Sequence, residues 1–378
     1  MNAQHTVNFG VIGCGLMGRE FAGVSMRWLA LRDPLPRPVI VAACDTSEEN
    51  LSWFHRVPET EYFYRDYREM LKNPEIEAVY CALPHYLHQQ VYCDIIASGK
   101  HLLGEKPFGI DQNAFLEIEK TMEAHPEVFA RCTSEFPYYP GAQQLVRWYR
   151  EGAFGRVIEA RFAIRHSSDM DLNKPINWKR QKAANGEYGC MGDLGIHTQH
   201  LPFRLGFTPR TVSAYLSDIV RERPGKDGIM VPCETWDNAF VLCETENENG
   251  DLFPMKMEMK RMAPGCTNTV SYEIDGLDMA ARFTTDDPGA VYYTQKQGRE
   301  QAWARLVLGH KTLFPVITGS IFEFGFPDSL LQMFAAFISE LKGLNCPFGC
   351  FTPKEAALSH QVLTAALRSH QEKRVISL

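Results

Sequence analysis

The sequence predicts an α/β protein. A doubly wound parallel sheet comes first, and a second α/β domain follows, built on a large, open, mostly antiparallel sheet. Three observations carry that expectation. In the first third, buried-strand and amphipathic-helix patterns alternate. In the middle, long β-rich segments succeed one another through turns such as "NENG" and "EIDGLD". At the end stand two amphipathic helices, "DSLLQMFAAFISELKGL" and "TPKEAALSHQVLTAALRSHQ". A chain of 378 residues exceeds one ordinary core, so two domains are expected, residues 1–135 and 136–378.

The elements follow in order. "TVNFGVIG" is an apolar run ending in glycine, hence a buried strand, and "LMGREFAGVSMRWLAL" has helical apolar spacing. After a short insertion at "LPRP" comes a second strand, "RPVIVAACD". "YREMLKNPEIEAVYCALP" reads as a short helix and a third strand, and "YLHQQVYCDIIASG" as a helix stopped by Gly99. "KHLLGEKP" is a fourth strand, "DQNAFLEIEKTMEAH" a helix behind an aspartate cap, and "VFARCTSEF" a fifth strand. The grammar changes near Glu135 to Pro140, after which a helix runs to Gly152. The strands "RVIEARFAIRH", "TVSAYLSDIV", "TWDNAFVLCETENENGDLFPMKMEMK", "TVSYEIDGLDMAARFTT" and "AVYYTQK" then build the second sheet.

Composition excludes several classes. Hydrophobic residues make up 45% and charged residues 22%, the balance of a folded globular chain. A net charge of -7 leaves no basic footprint, so nucleic acid is not an expected partner. No apolar run reaches the ~18 residues of a membrane span, so no membrane is expected either. "MNAQHTVNFGVIG" lacks a basic region and apolar signal core, and the 11 cysteines are scattered singly. Both point to reduced thiols and a cytoplasmic location.

The first chemical signal is "GVIGCGLMGREF", G-x-G-x-x-G at Gly13, Gly15 and Gly18. It follows a predicted strand and opens a predicted helix, the context a dinucleotide-binding Rossmann turn requires. Gly13 permits the tight turn, Gly15 lets backbone approach a pyrophosphate, and Gly18 packs helix on strand; Leu16 and Met17 at the helix start join the cofactor contacts. Asp45 ends the second strand, where an acid binds the adenosine ribose hydroxyls and repels a 2′-phosphate; the plainer alternative is a helix cap. No arginine follows in "DTSEEN", so NAD is favoured over NADP.

Two further segments fall at strand ends or on a helix. Leu83, Pro84 and His88 in "CALPHYLH" lie where a cofactor would pack, with Glu105, Lys106 and Pro107 at the next strand end. A partly desolvated lysine can donate or relay a proton, whereas the bland reading is a charged turn. Far along, "GDLGIHTQH" puts Asp193 and His197 four apart on one helical face. A carboxylate beside an imidazole orients it for acid–base work; a capping aspartate and a buried, satisfied histidine are the structural alternative. Asp193, His197 and His200 also have ligand spacing, but a nearby lysine ammonium would compete with a cation, so no metal is expected.

Taken in order, "GVIGCGLMG", "LPHYLH", "GEKPFGID", "WKRQ", "GDLGIHTQH" and the two closing helices resemble the Gfo/Idh/MocA family of NAD(P)-dependent oxidoreductases over essentially the whole chain. The resemblance implies a Rossmann domain followed by a domain whose open sheet forms an oligomer interface, hence a homodimer or homotetramer. It implies a small-molecule substrate, a sugar, sugar derivative or cyclitol, oxidised at a ring hydroxyl. Glu105, Lys106 and Pro107 match the family's E-K-P signature, and Asp193 and His197 its D-x-x-x-H signature. The catalytic set it implies is Lys106, Asp193 and His197, with the proton going to Lys106 or His197. Trp178 and Lys179 fall where a Trp-Arg pair reaches the cofactor. "SEFPYYP" departs from the family's Asn-Arg-Arg-Phe, putting Glu135 where asparagine is common. Loss of those basic groups argues for a neutral substrate, for which Tyr139, His166 and Trp178 suit stacking and hydrogen bonding. Two rival readings use the same residues: glycoside cleavage or epimerisation through a transient keto-sugar, and a non-catalytic dinucleotide-binding regulator.

Overall fold

A computed structural model describes residues 6–378. Among the described residues the chain forms two compact units. One holds the residues up to Tyr138 together with Thr312–Gly319 and Gly325–Ala356; the other holds Tyr139–Lys311, Ser320–Phe324 and Ala357–Leu378.

In the first unit, strands β1 (Thr6–Ile12), β2 (Arg37–Cys44), β3 (Tyr62–Tyr64), β4 (Ala78–Cys81), β5 (His101–Gly104) and β6 (Ala130–Cys132) form one parallel sheet. Its order is β3-β2-β1-β4-β5-β6. Helices α1 (Leu16–Met26), α2 (Glu48–Phe54), α3 (Tyr67–Leu71), α4 (His88–Ala97) and α5 (Gln112–Ala124) link the strands. The order reverses at β1 and β4, which places the ligand crevice of a doubly wound sheet at their C-terminal ends. The sequence reading holds for every strand except β3, a three-residue edge strand too short to show a period. The strand read as third is therefore the fourth.

The second unit begins with α6 (Pro140–Arg150) and β7 (Val157–Arg165), then α7 (Lys182–Asn185) and α8 (Cys190–Arg204). Strands β8 (Thr208–Ser217), β9 (Glu222–Pro224), β10 (Met230–Pro232), β11 (Asn238–Glu246), β12 (Leu252–Lys260), β13 (Thr269–Gly276), β14 (Met279–Thr284), β15 (Ala290–Gln295) and β16 (Ala304–Val307) follow. The large sheet runs β16-β15-β14-β13-β7-β12-β11-β8-β17, with β17 at Ile376–Ser377, while β9 and β10 pair by themselves. Pairing is antiparallel except between β7 and β12. Helix α8 packs on β7, β11 and β12. Gly141 of α6 lets that helix touch the sheet: a Cβ there would lie 2.2 Å from Phe283 Cδ2.

The last two helices divide differently from the expected cut after residue 135. Helix α9 (Phe326–Leu341) belongs to the first unit, and α10 (Pro353–Glu372) lies mainly in the second. The reason is aromatic packing. Phe334 stacks within 4.6 Å of Phe21 and 5.5 Å of Tyr80, and Phe337 lies 6.1 Å from Phe9 and 5.4 Å from Phe129. Such burial stabilises by roughly 2 kcal/mol per ring. Beyond α9, Phe351 bridges to Cys132 and covers the β6 edge. No helix among the described residues is long and apolar enough to cross a membrane.

Candidate active site

The three glycines of the first turn differ in what they spare. A Cβ on Gly13, which has φ +93, would sit 2.3 Å from the Ala82 carbonyl oxygen, and one on Gly18 would sit 2.3 Å from the Gly13 carbonyl oxygen. Both positions are closed to side chains by backbone. At Gly15 a Cβ would meet nothing within 4 Å. Gly15 is the N-cap of α1 and no side chain caps it, so the first N–H groups of the helix face open space. Leu16, 74% exposed, and Met17 flank that opening. Uncapped donors at a positive dipole end fit a pyrophosphate.

Asp45 is fixed beside this turn. Its carboxylate accepts hydrogen bonds from the Cys14 N–H at 2.8 Å, the Ser47 N–H at 2.8 Å and Asn50 Nδ2 at 3.1 Å. The cap of α2 is Ser47, whose Oγ accepts from the Asn50 N–H, so Asp45 is not the helix cap that was the plainer alternative. The sequence reading missed two arginines here because neither follows Asp45 closely in the chain. Arg19, on α1, donates to the Cys14 carbonyl and to Asn50 Oδ1; Arg65, after β3, donates to the Thr46 carbonyl and pairs with Glu48.

At the neighbouring strand ends, Leu83 Cδ2 lies 3.4 Å from where a Gly13 Cβ would be, and Pro84 follows it. His88 corrects its expected role as a cofactor contact. It is fully buried, with Nδ1 2.7 Å from the Pro107 carbonyl and Nε2 2.8 Å from the Leu83 carbonyl, and its ring stacks on Tyr92. It is a clamp between two loops. Burial drives its pKa down to about 4, outweighing the two carbonyls, which favour the charged ring; the Lys106 charge adds to the lowering.

The Lys106–Pro107 peptide is cis. Gly104 precedes it because the Tyr92 ring occupies the side-chain space: a Cβ would lie 2.7 Å from Tyr92 Cζ. The Tyr92 hydroxyl donates to the Glu105 carbonyl at 2.7 Å, and the Tyr80 hydroxyl donates to Glu105 Oε1 at 2.7 Å. The Lys106 N–H reaches Glu105 Oε2 at 3.3 Å. Glu105 is thus spent on holding the turn that carries Lys106. Nearby, the buried hydroxyls of Thr133 and Ser134 at the end of β6 lack a protein partner. Uncapped N–H groups, a ribose-type carboxylate and unpaired hydroxyls together fit a dinucleotide.

In the second unit the site is a charge cluster on α8. From Cys190 to Phe203 every residue of that helix is buried, Asp193, His197, Gln199 and His200 included. Polar side chains at such depth need partners or a function. Lys179 Nζ lies 3.0 Å from both oxygens of Asp193, and Arg261 Nε lies 3.6 Å from Oδ2. Arg261 is itself buried and donates to the Lys179 and Gly189 carbonyls and Asn185 Oδ1. One turn on, the His197 carbonyl accepts from the Tyr272 hydroxyl at 2.8 Å. His166 faces the same cluster. Burial chiefly lowers its pKa, to about 4; Asp193 opposes the shift, and Lys179 and Arg261 add to it. Its Nδ1 meets Ser168 Oγ at 2.9 Å.

Thus the structure brings Lys179, Asp193 and His166 together, with Trp178 5.7 Å from Lys179 Nζ. The Lys179 ammonium is bonded to Asp193. Tyr139 corrects an expectation. Its ring is buried against Phe283 and Phe324, so it is core rather than a substrate platform. Arg261 escaped the sequence reading, since no local pattern links it to a residue 68 positions earlier. Among the described residues no group of three or more His, Cys, Asp or Glu is placed to hold a metal ion.

Comparison with known proteins places these features. Residues 7–131 match the model described as the oxidoreductase family, NAD-binding Rossmann fold, and residues 142–278 match the GFO/IDH/MocA C-terminal domain. Levoglucosan dehydrogenase of Pseudarthrobacter phenanthrenivorans is 25% identical over 297 residues, 73% of each chain. Inositol 2-dehydrogenase of Burkholderia multivorans is 28% identical over 163 residues, 43% of this chain and 47% of its own. Among solved structures, levoglucosan dehydrogenase in complex with NADH superposes with a TM-score of 0.86 at 20% identity, covering 98% of this chain and 99% of that one. An NAD-binding oxidoreductase from Klebsiella pneumoniae gives 0.86 at 23% identity, with the same coverage. With residues 7–131 and 142–278 both matched, the chain belongs to the Gfo/Idh/MocA family of oxidoreductases, and its first unit is an NAD-binding Rossmann domain.

Proposed function

We propose that the protein is an NAD-dependent dehydrogenase acting on a ring hydroxyl of a sugar, sugar derivative or cyclitol. One observation carries this reading: a buried carboxylate, Asp193, is held by Lys179 and Arg261 one helical turn before a buried imidazole, His197. A structural helix has no need of that arrangement, and it occurs in a chain that also presents Lys106 at a strand end of an NAD-binding domain. When bound, the nicotinamide supplies the hydride chemistry. The protein moves the proton: Asp193 orients His197, and His197 or Lys106 takes the proton of the reacting hydroxyl. Glu105 and His88 hold the turn that keeps Lys106 at the strand end. The named activities of the levoglucosan and inositol relatives support a neutral polyol substrate. Asp45 supports NAD over NADP, because Arg19 and Arg65 are engaged by protein groups rather than left for a 2′-phosphate. Exposed Tyr215, Leu242, Leu252 and Val307 on the large sheet support a homodimer or homotetramer, which sedimentation would read.

The test is a panel of sugars and inositols assayed with NAD and NADP for nicotinamide reduction. Lys106→Ala and His197→Ala should each lower turnover by about 10²–10⁴-fold while NADH still quenches protein fluorescence. Full turnover in both variants would refute the assignment. Product without accumulated NADH would mark the transient keto-sugar reaction instead.

A further inference from the structure

We propose that Glu135 is a proton-holding partner of Lys106, standing beside Glu105 where β5 and β6 leave the sheet. Strand pairing sets the geometry. Gly104 of β5 is in register with Cys132 of β6, and the Thr133 N–H donates to the Gly104 carbonyl at 2.9 Å. The two strands therefore leave the sheet side by side, one into Glu105 and Lys106, the other into Ser134 and Glu135. Both carboxyls are shut away from water, Glu105 at 8% and Glu135 at 7% exposure. Around Glu135 the acting charges are Glu105 and Lys106, and Glu135 in turn acts on the Tyr80 hydroxyl. Helix α9 brings Met333, whose sulfur accepts from the Ser134 N–H.

One ammonium cannot neutralise two carboxylates in a low-dielectric site, so Glu135 keeps a proton. Glu105 already accepts from the Tyr80 hydroxyl and the Lys106 N–H, which leaves Glu135 to take it. Burial, with Glu105 adding to it, raises Glu135 to about 7, against the opposing pull of its own N–H and of Lys106. Glu135 acts through Lys106 and is a positioning residue. Its consequence for turnover rests on the dehydrogenase reading; its protonation does not.

The experiment uses the whole protein without substrate. Infrared difference spectra between about pH 5 and about pH 9 should show a carboxylic C=O band lost with a midpoint near 7. Glu135→Gln should abolish that band. A band that persists in the variant, or a wild-type protein with no carboxyl titrating above about pH 6, overturns the proposal. In turnover, Glu135→Gln should lose the limb near pH 7 in the kcat/KM profile yet stay close to wild type below it, and Glu135→Asp should restore a limb. An equal loss at every pH would mean a merely structural role and would also overturn it. If no sugar is turned over but the band titrates as stated, the dehydrogenase reading fails and the proton-holding role of Glu135 stands.

Discussion

Single residues decide the chemistry through their partners. Asp193 is held by two cations, Lys179 and Arg261, the second of them far away in the chain. Arg261 is the more committed, being buried and bonded to three backbone or amide oxygens besides its ion pair. Arg261→Leu should therefore destabilise the protein by about 3–5 kcal/mol, since removing one member of a buried pair strands its partners. Urea denaturation measures it, and a loss below about 1 kcal/mol would show that Lys179 alone suffices. His88 shows the reverse. Its position in "LPHYLH" suggested a ligand contact, but both nitrogens are used internally.

At the scale of elements, α8 and α9 carry most of the information. Helix α8 is buried on all sides yet bears Asp193, His197 and His200, a combination that costs stability unless it serves a site. Helix α9 is apolar for an ordinary reason: Phe334 and Phe337 complete the aromatic core of the Rossmann sheet. Phe334→Ala should cost about 3–5 kcal/mol, seen as a lower thermal midpoint, and should weaken NADH binding because Phe21 sits on the helix that follows the glycine turn. Unchanged NADH affinity in a destabilised variant would separate packing from binding.

The whole molecule answers to pH through its buried titrating groups. His88 and His166 have pKa values lowered from 6.5 to about 4. Between those values the unfolded chain binds more protons than the native one, so their stabilisation is present above about 6.5 and lost as pH falls toward 4. Glu135, raised from 4.5 to about 7, does the opposite: its contribution is present below 4.5 and lost as pH rises. Two histidines outweigh one glutamate, so the thermal midpoint should fall on acidification from about 6.5 to about 4, and fall more steeply in Glu135→Gln. Calorimetry across that window checks both slopes; a shallower fall in the variant would contradict the assigned signs.

The sequence by itself determined the alternation of strand and helix in the first third, the glycine turn with its acid, and the Asp193–His197 face. Each of these is written in local periodicity or in fixed short spacings, which one segment expresses regardless of the rest of the chain. It also carried the family, because five short motifs and the two closing helices stand in order. Only the tertiary structure decided the remainder. The three residues of β3 show no period, and their strand exists through pairing with β2. An amphipathic pattern says that α9 buries a face but not on which sheet. Arg261 meets Asp193 and Arg19 meets Asn50 through contacts between segments that no spacing rule connects. The physical reason is the same in each case. Burial and charge pairing depend on which surfaces meet, and that is settled by the energy of the assembled fold rather than by neighbours along the chain.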